Sequence, residues 1–279
     1  VRPFAALLLP VLLAACAPEP PPLPPPPASP RPLVIAAASF PFPSSPELEA
    51  LRDPRRAGPQ KPRALLVTEI QGLESLFAAT PREAPDRPTL VHRLAEEYVE
   101  LVRAALRDHD ERAAKIVVAG RRAAIAYYTR LVNEYPGWCH AGTSGCADET
   151  RYLAGLEYER AGDLDHARRL YLDVVQNHPA SRFAAYAYLA FGELFVPEAE
   201  ADPSKWPLAR QSFEEVIKSP PPDNPLYGYA LLRLAQIHAR LGHPDEARAR
   251  RQALRDLAAK SPGWAPAEIP ARLLGQDAP

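Results

Sequence analysis

Three times along the chain a small residue is followed four positions later by an aromatic and twelve positions later by a proline. Ala124, Tyr128 and Pro136 form the first set, Ala167, Tyr171 and Pro179 the second, and Ala209, Phe213 and Pro221 the third. The pattern constrains the fold because each residue type meets one demand of a helical hairpin. Alanine lets two helices cross closely, the aromatic one turn on fills the gap beside the crossing, and proline, which lacks the amide proton a helix interior needs, stops the second helix. Between these markers, stretches rich in Ala, Leu and Tyr run at helical spacing and end in short Pro- or Gly-containing breaks, and no stretch alternates persistently as a strand does. The fold class expected is all-α. Ala247 extends the series, the four alanines standing 43, 42 and 38 residues apart. Upstream, Leu65 to Phe77 and Leu90 to Leu106 supply the N-terminal helices, and Lys115 to Tyr135 a long second helix.

The unit from Asp148 to Pro179 is the best formed. Its Gly155, Tyr158, Ala167, Tyr171 and Pro179, with Gly162-Asp163 as the turn between helices, stand at the spacing of the tetratricopeptide repeat, which the unit resembles. It departs from that pattern at Arg151, where Trp or a large apolar residue is usual, and at Ala154 in place of Leu. A later unit carries Leu231, Leu234, Ala235, Gly242 and Ala247 but has His238 at the tyrosine position, Arg251 at the aromatic one and a late Pro262, as suits a capping repeat whose outer face meets water. Because the spacing exceeds the ~34 residues of an unadorned repeat, insertions are expected in loops, at Gly137 to Ala147 and Pro197 to Pro207. The resemblance implies a solenoid of helical hairpins over residues 63–275, with first helices lining a concave groove. Family members hold a peptide's terminal carboxylate there with Lys, Asn and Arg. Counted from Asp148, the corresponding positions here are Tyr152 and Leu156, neither able to pair with a carboxylate, and in later units Phe191, Tyr229 and Leu232. The partner-binding set is thus Tyr152, Leu156, Phe191, Tyr229 and Leu232, and the ligand an apolar helix or extended segment, with this chain's own Leu33 to Phe42 as one candidate. The competing reading makes the aromatics inter-helix packing.

The N-terminal region reads differently. Arg2 precedes an apolar run from Phe4 to Ala15 that is too short for the ~20 residues of a membrane span and has the proportions of a signal peptide over residues 1–15. It ends Leu13-Ala14-Ala15-Cys16, which resembles the bacterial lipoprotein box. That resemblance implies lipidation of Cys16 with diacylglycerol, cleavage before it and acylation of the new amine. Ala17 stands where an inner-membrane retention signal would place aspartate, so the outer membrane, periplasmic side, is the expected location. From Ala17 to Pro46 thirteen of thirty residues are proline, so this stretch is expected to form neither helix nor sheet, and residues 16–62 are expected to be a lipidated cysteine and a Pro-rich linker. At ~3.1 Å per residue in polyproline II, such a spacer could hold a body up to ~90 Å from the lipid.

Chemistry is sparse. The chain carries 33 basic and 34 acidic residues, so no global field draws in nucleic acid. The histidines, at 92, 109, 140, 166, 178, 238 and 243, include no His-Glu-x-x-His, Gly142-Thr143-Ser144-Gly145 is no nucleophile elbow, and no phosphate-cradling loop is present. Glu96, Glu97 and Glu100 read as a solvated helix face. No catalytic, cofactor or metal residues are proposed, and the chain is expected not to be an enzyme. Cys139 and Cys146, with His140 and Asp148, could hold a metal or remain free thiols. In an oxidising envelope a disulfide across the Gly-rich loop is the expected pairing.

Together these features point to a lipid-anchored scaffold that binds an envelope protein or peptide segment. At the level of repeats the layout is similar to the assembly lipoprotein of the β-barrel machinery and to the Tol-Pal coordinator. The stretches from Ala187 to Phe195 and from Pro220 to Asn224 resemble the repeat lipoproteins of gliding-motility machines. The alternative is an accessory protein of a periplasmic hydrolase carrying a small-molecule or glycan site.

Overall fold

Each marker alanine lies in the core. Ala124, Ala167, Ala209 and Ala247 are fully buried, as are the aromatics Tyr128, Tyr171 and Phe213 one turn beyond the first three. The computed structural model describes residues 46–55, 60–108, 112–139 and 147–260. Residues 1–15, Cys16, the tether to residue 45 (with Leu33 to Phe42) and Cys146 lie outside them. Among the described residues the regular elements are all helical: α1 (Pro46–Arg52), α2 (Arg63–Ala79), α3 (Arg87–Asp108), α4 (Ala113–Glu134), α5 (Ala147–Arg160), α6 (Leu164–Asn177), α7 (Arg182–Ala201), a 3-10 turn (Pro203–Lys205), α8 (Trp206–Val216), α9 (Tyr227–Arg240) and α10 (Pro244–Lys260).

The helices pack in chain order. The hairpins α3/α4, α5/α6, α7/α8 and α9/α10 follow one another, each second helix also touching the next first helix, with α2 against α3. This is the hairpin-stacked, all-α architecture expected of a tetratricopeptide-like solenoid. Inside two hairpins, a glycine of the first helix lies under the aromatic of the second. A Cβ added at Gly155 would meet Tyr171 Cε1 at 2.6 Å, and one at Gly192 would meet Phe213 Cζ at 2.5 Å. These distances are well inside the 3.5–4.0 Å of favourable carbon contact, so here the absence of a side chain sets how closely the helices approach.

Hairpins α5/α6 and α9/α10 turn in the same way. Gly162 and Gly242 take positive φ values of 83° and 74°. The amides of the next residues, Asp163 and His243, donate to Tyr158 and His238 carbonyls at 3.0 and 2.9 Å, the six-to-one bond that closes a helix on a left-handed residue. Tyr158 and His238 are thus equivalent.

Hairpin α7/α8 corrects one expectation. Pro197 to Pro207 is not a loop: α7 runs through Pro197 to Ala201, and the 3-10 turn leads directly into α8. Pro203 and Pro207 occupy first-turn positions, where no amide proton is needed, so only Pro197 lies in a helix interior. The insertion lengthens a helix and adds one turn. A second correction concerns the end of the linker, since residues 46–55 are structured: α1 and the turn after it pack against the hairpins, as described next.

Candidate functional site

Helix α5 is covered on nearly every side. Tyr152, Leu153, Ala154, Leu156 and Glu157 are at most 1% exposed. A single hairpin partner and its neighbours bury a stripe of a helix, whereas a helix apolar around most of its girth needs a further cover. The cover comes from Glu49–Arg55, which crosses the C-terminal half of α5 and places one arginine on each side of it. Glu157 and Glu159, two positions apart, lie ~200° apart around the helix at 3.6 residues per turn.

On one side, Arg52 Nη2 donates to both carboxylate oxygens of Glu159 at 2.6 Å. The Tyr152 hydroxyl donates to the Arg52 carbonyl at 2.6 Å, and the Tyr171 hydroxyl to Glu159 at 2.8 Å. On the other side, Arg55 Nη2 donates to Glu157 at 2.7 Å, while its Nη1 donates to Tyr128 Oη at 3.3 Å. Between them Asp53 accepts from Arg55 at 2.7 and 2.6 Å, and from Arg103 and Arg160 at 2.8 Å each. Arg160 also reaches Glu157 at 3.0 Å and Glu49 at 3.3 Å, and Arg121 Nε lies 3.5 Å from Glu157. The side chains of Arg52, Asp53 and Arg55 are only 4, 5 and 6% exposed.

Burial by itself would push the carboxyls of Asp53 and Glu157 up. The guanidiniums outweigh it: Arg55, with Arg160 and Arg103, holds Asp53 well below the usual carboxylate range, and Arg55, Arg160 and Arg121 lower Glu157. Both therefore stay ionised. Burial also raises the phenols of Tyr128 and Tyr152 far above their ordinary value, Arg55 and Arg52 opposing it respectively, so both hydroxyls keep their protons.

The expected partner-binding residues fall into two groups. Tyr152 and Leu156 are fully buried, and Tyr152 packs against Tyr171, Phe183 and Tyr186 at ring separations of 5.4–5.9 Å. What Tyr152 offers to this face is its hydroxyl, not its ring. Phe191 is half-buried, edge-on to Tyr171 and stacked on Phe195, both at 6.1 Å. Tyr229 retains 8% of its surface and lies under the Arg233 guanidinium at 5.2 Å, and Leu232 is half-buried. Arg233 forms a two-pronged pair with Glu193 of α7, both bonds 2.7 Å, tying two successive first helices together. Glu97 and Glu100 are not wholly solvated either, since Glu97 receives Lys61 at 3.1 Å and Glu100 pairs with Arg103.

The charged residues of the site, namely Arg52, Asp53, Arg55, Arg103, Arg121, Glu157, Glu159 and Arg160, were not singled out from sequence. The available signal was the run Tyr152-Leu153-Ala154-Gly155-Leu156, too wide for one buried stripe. The departure at Arg151 is absorbed by an ion pair with Asp173 of α6. Among the described residues, no helix is long and apolar enough to cross a membrane.

The tetratricopeptide-repeat family model matches residues 229–263, which take in most of α9 and all of α10. No curated protein matches the chain. The match falls on the unit that departs further from the repeat spacing, whose turn at Gly242 repeats that of the unit at Gly162. Residues 229–263 are a tetratricopeptide repeat, at the end of a stack of helical hairpins.

Proposed function

We propose that the protein is a lipid-anchored, periplasm-facing scaffold of the outer membrane, without enzymatic activity of its own, that holds a segment of another envelope protein on the face lined by its first helices. The observation that carries this reading is the ligand-like engagement of Glu49–Arg55 on that face, through a backbone carbonyl and three side chains. A surface that binds one short segment by such contacts has the donors and acceptors to bind another. The tetratricopeptide repeat supports a protein or peptide partner in general. Partner contacts are expected from Leu232 and Phe191, which are half-buried, from the edge that Tyr229 keeps and from the Tyr152 hydroxyl, with the fully buried Leu156 in the core of the same helix. The gliding-motility, β-barrel-assembly and Tol-Pal systems are the settings suggested by the repeat layout.

The anchor is assigned to Cys16 and the loop closure to a Cys139–Cys146 disulfide. The latter is supported by a spacing of seven residues across a Gly-rich loop. The test is affinity capture from membrane extracts with the parent chain, Cys16→Ser and Leu232→Ala, each checked by thermal melting. The reading requires an envelope protein that is retained by the parent and lost with Leu232→Ala at an unchanged melt, and outer-membrane fractionation that is lost with Cys16→Ser. Capture indifferent to Leu232→Ala would refute the binding face, and a Cys16→Ser protein still in the outer-membrane fraction would refute the anchor.

A further inference from the structure

Glu49–Arg55 is held differently from the helices it covers. Its grip lies in three buried charged side chains and one carbonyl, all directed at groups between Arg103 and Arg160. Desolvated ion pairs select geometry strongly but return little net free energy, because each charge gives up its water. Arg52 Nε is moreover buried without a hydrogen-bond partner, so even this well-fitted segment is incompletely satisfied. The carboxylates of the receiving face keep partners without the segment: Glu157 keeps Arg160 and Arg121, and Glu159 keeps the Tyr171 hydroxyl, while the Tyr152 and Tyr128 hydroxyls exchange Arg52 and Arg55 for water. Selective contacts, modest net grip and receptor carboxylates that keep partners once the segment is gone are the properties of an exchangeable ligand.

We propose that Glu49–Arg55 is a tethered, displaceable occupant of the first-helix face, and that the partner replacing it carries the same chemistry: a short segment with a guanidinium on either side of a carboxylate. The inference rests on the reading that this face binds a segment of another protein, and it adds what that segment is and what it must displace. Charge complementarity names the occupant. Glu159 and Glu157 receive the two guanidiniums, and Arg103 and Arg160 converge on the carboxylate between them. The short connection to α2 gives the chain's own segment an effective concentration of about 1 mM. If its free dissociation constant is about 10 μM, a competitor is weakened about a hundredfold while the connection is intact.

The test cuts that connection in the full chain. A protease recognition sequence inserted after Gln60 separates the segment from α2 without altering a contact residue. The probe is a fluorescent synthetic peptide with the sequence of residues 46–56. The cut chain is expected to release its segment on gel filtration and take up the probe at least tenfold more tightly than the uncut chain. A probe carrying Arg52→Ala and Arg55→Ala should not compete. Retention of the cut segment through dilution, with no entry of the probe, would overturn the proposal and make the segment a permanent clasp. Equal competition by the arginine-free probe would overturn the assigned chemistry. Should the cut chain exchange the probe while membrane extracts yield no partner, displaceability stands and the partner reading is what fails.

Discussion

If the segment Glu49–Arg55 can leave, the cost of damaging it must saturate. Consider Arg55→Ala. With the segment fixed in place, the substitution removes the guanidinium shared by the buried Asp53 and Glu157, leaving them with Arg103, Arg160 and Arg121, a loss of up to about 3–5 kcal/mol. A segment held at about a hundred times its dissociation constant is worth only about 2.7 kcal/mol. The smaller figure governs, because release lets water reach Glu157 before the larger cost is incurred. Arg52→Ala meets the same ceiling, and so does the double variant: all three should lose no more than about 2.7 kcal/mol, the double no more than the worse single. Arg233→Ala is the internal contrast. Its Glu193 partner is also covered, at 12% exposure, but Arg233 sits on α9 between core residues Leu231, Leu234 and Ala235 and has no way to leave, so the full cost of about 3–5 kcal/mol applies. Urea unfolding followed by circular dichroism measures all four variants. A double variant costing the sum of its singles, about 6 kcal/mol or more, would show that the segment is fixed and refute the reasoning.

Three further outcomes follow from the geometry. Gly155→Ala drives a methyl to 2.6 Å from the buried Tyr171 ring, whereas Gly72→Ala on α2 meets nothing within 4 Å. The first should lose about 1–3 kcal/mol relative to the second, which gains up to about 1 kcal/mol of helix propensity, and thermal melts with Gly155→Ala at or above Gly72→Ala would contradict this. The depressed carboxyls of Asp53 and Glu157 contribute stability that is complete above their unfolded values of 3.8 and 4.5 and is lost as pH falls through the lower folded ones. Urea midpoints measured between about pH 6 and pH 3 should therefore fall less steeply in Asp53→Asn than in the parent. Intact mass without reductant should be two hydrogens below the reduced mass if Cys139 and Cys146 pair within one chain, and equal masses would exclude the bond.

The close helix crossings were legible because they depend on local spacing. An alanine and an aromatic four apart lie on one face of a helix whatever surrounds them, and Ala124 with Tyr128, Ala167 with Tyr171 and Ala209 with Phe213 all went into the core. The turn at Gly242 was legible for the same reason. Pro197 was misread because a proline usually ends a helix, yet α7 carries it and continues to Ala201. The binding face was the least legible part. Arg52 pairs with a residue 107 positions away and Arg55 with one 102 away, and no local pattern encodes separations of that length. Charged residues after a proline-rich stretch ordinarily remain in water, and so do glutamates near the end of a helix. Only the excess apolar girth of α5 required an additional cover, and that requirement does not say which segment supplies it.

The two arginine–carboxylate clusters show how one stacked architecture can hold both fixed and exchangeable parts. Between α7 and α9 the guanidinium and carboxylate come from successive first helices, so the pair forms whenever the hairpins stack, and Tyr229 beneath Arg233 covers it. On α5 the carboxylates Glu157 and Glu159 face positions that receive guanidiniums from outside the hairpins. The same bidentate chemistry is therefore structural in one place and ligand-like in the other, the difference being whether the arginine's backbone belongs to the stack. A seven-residue helix ahead of the first hairpin cannot be stable alone, since isolated helices below ~12–15 residues are marginal in water. Its order depends on the face it covers, so a competitor that takes the arginine sites also removes the reason for α1 to stay folded. Displacement thus couples the occupancy of α5 to the folding of α1.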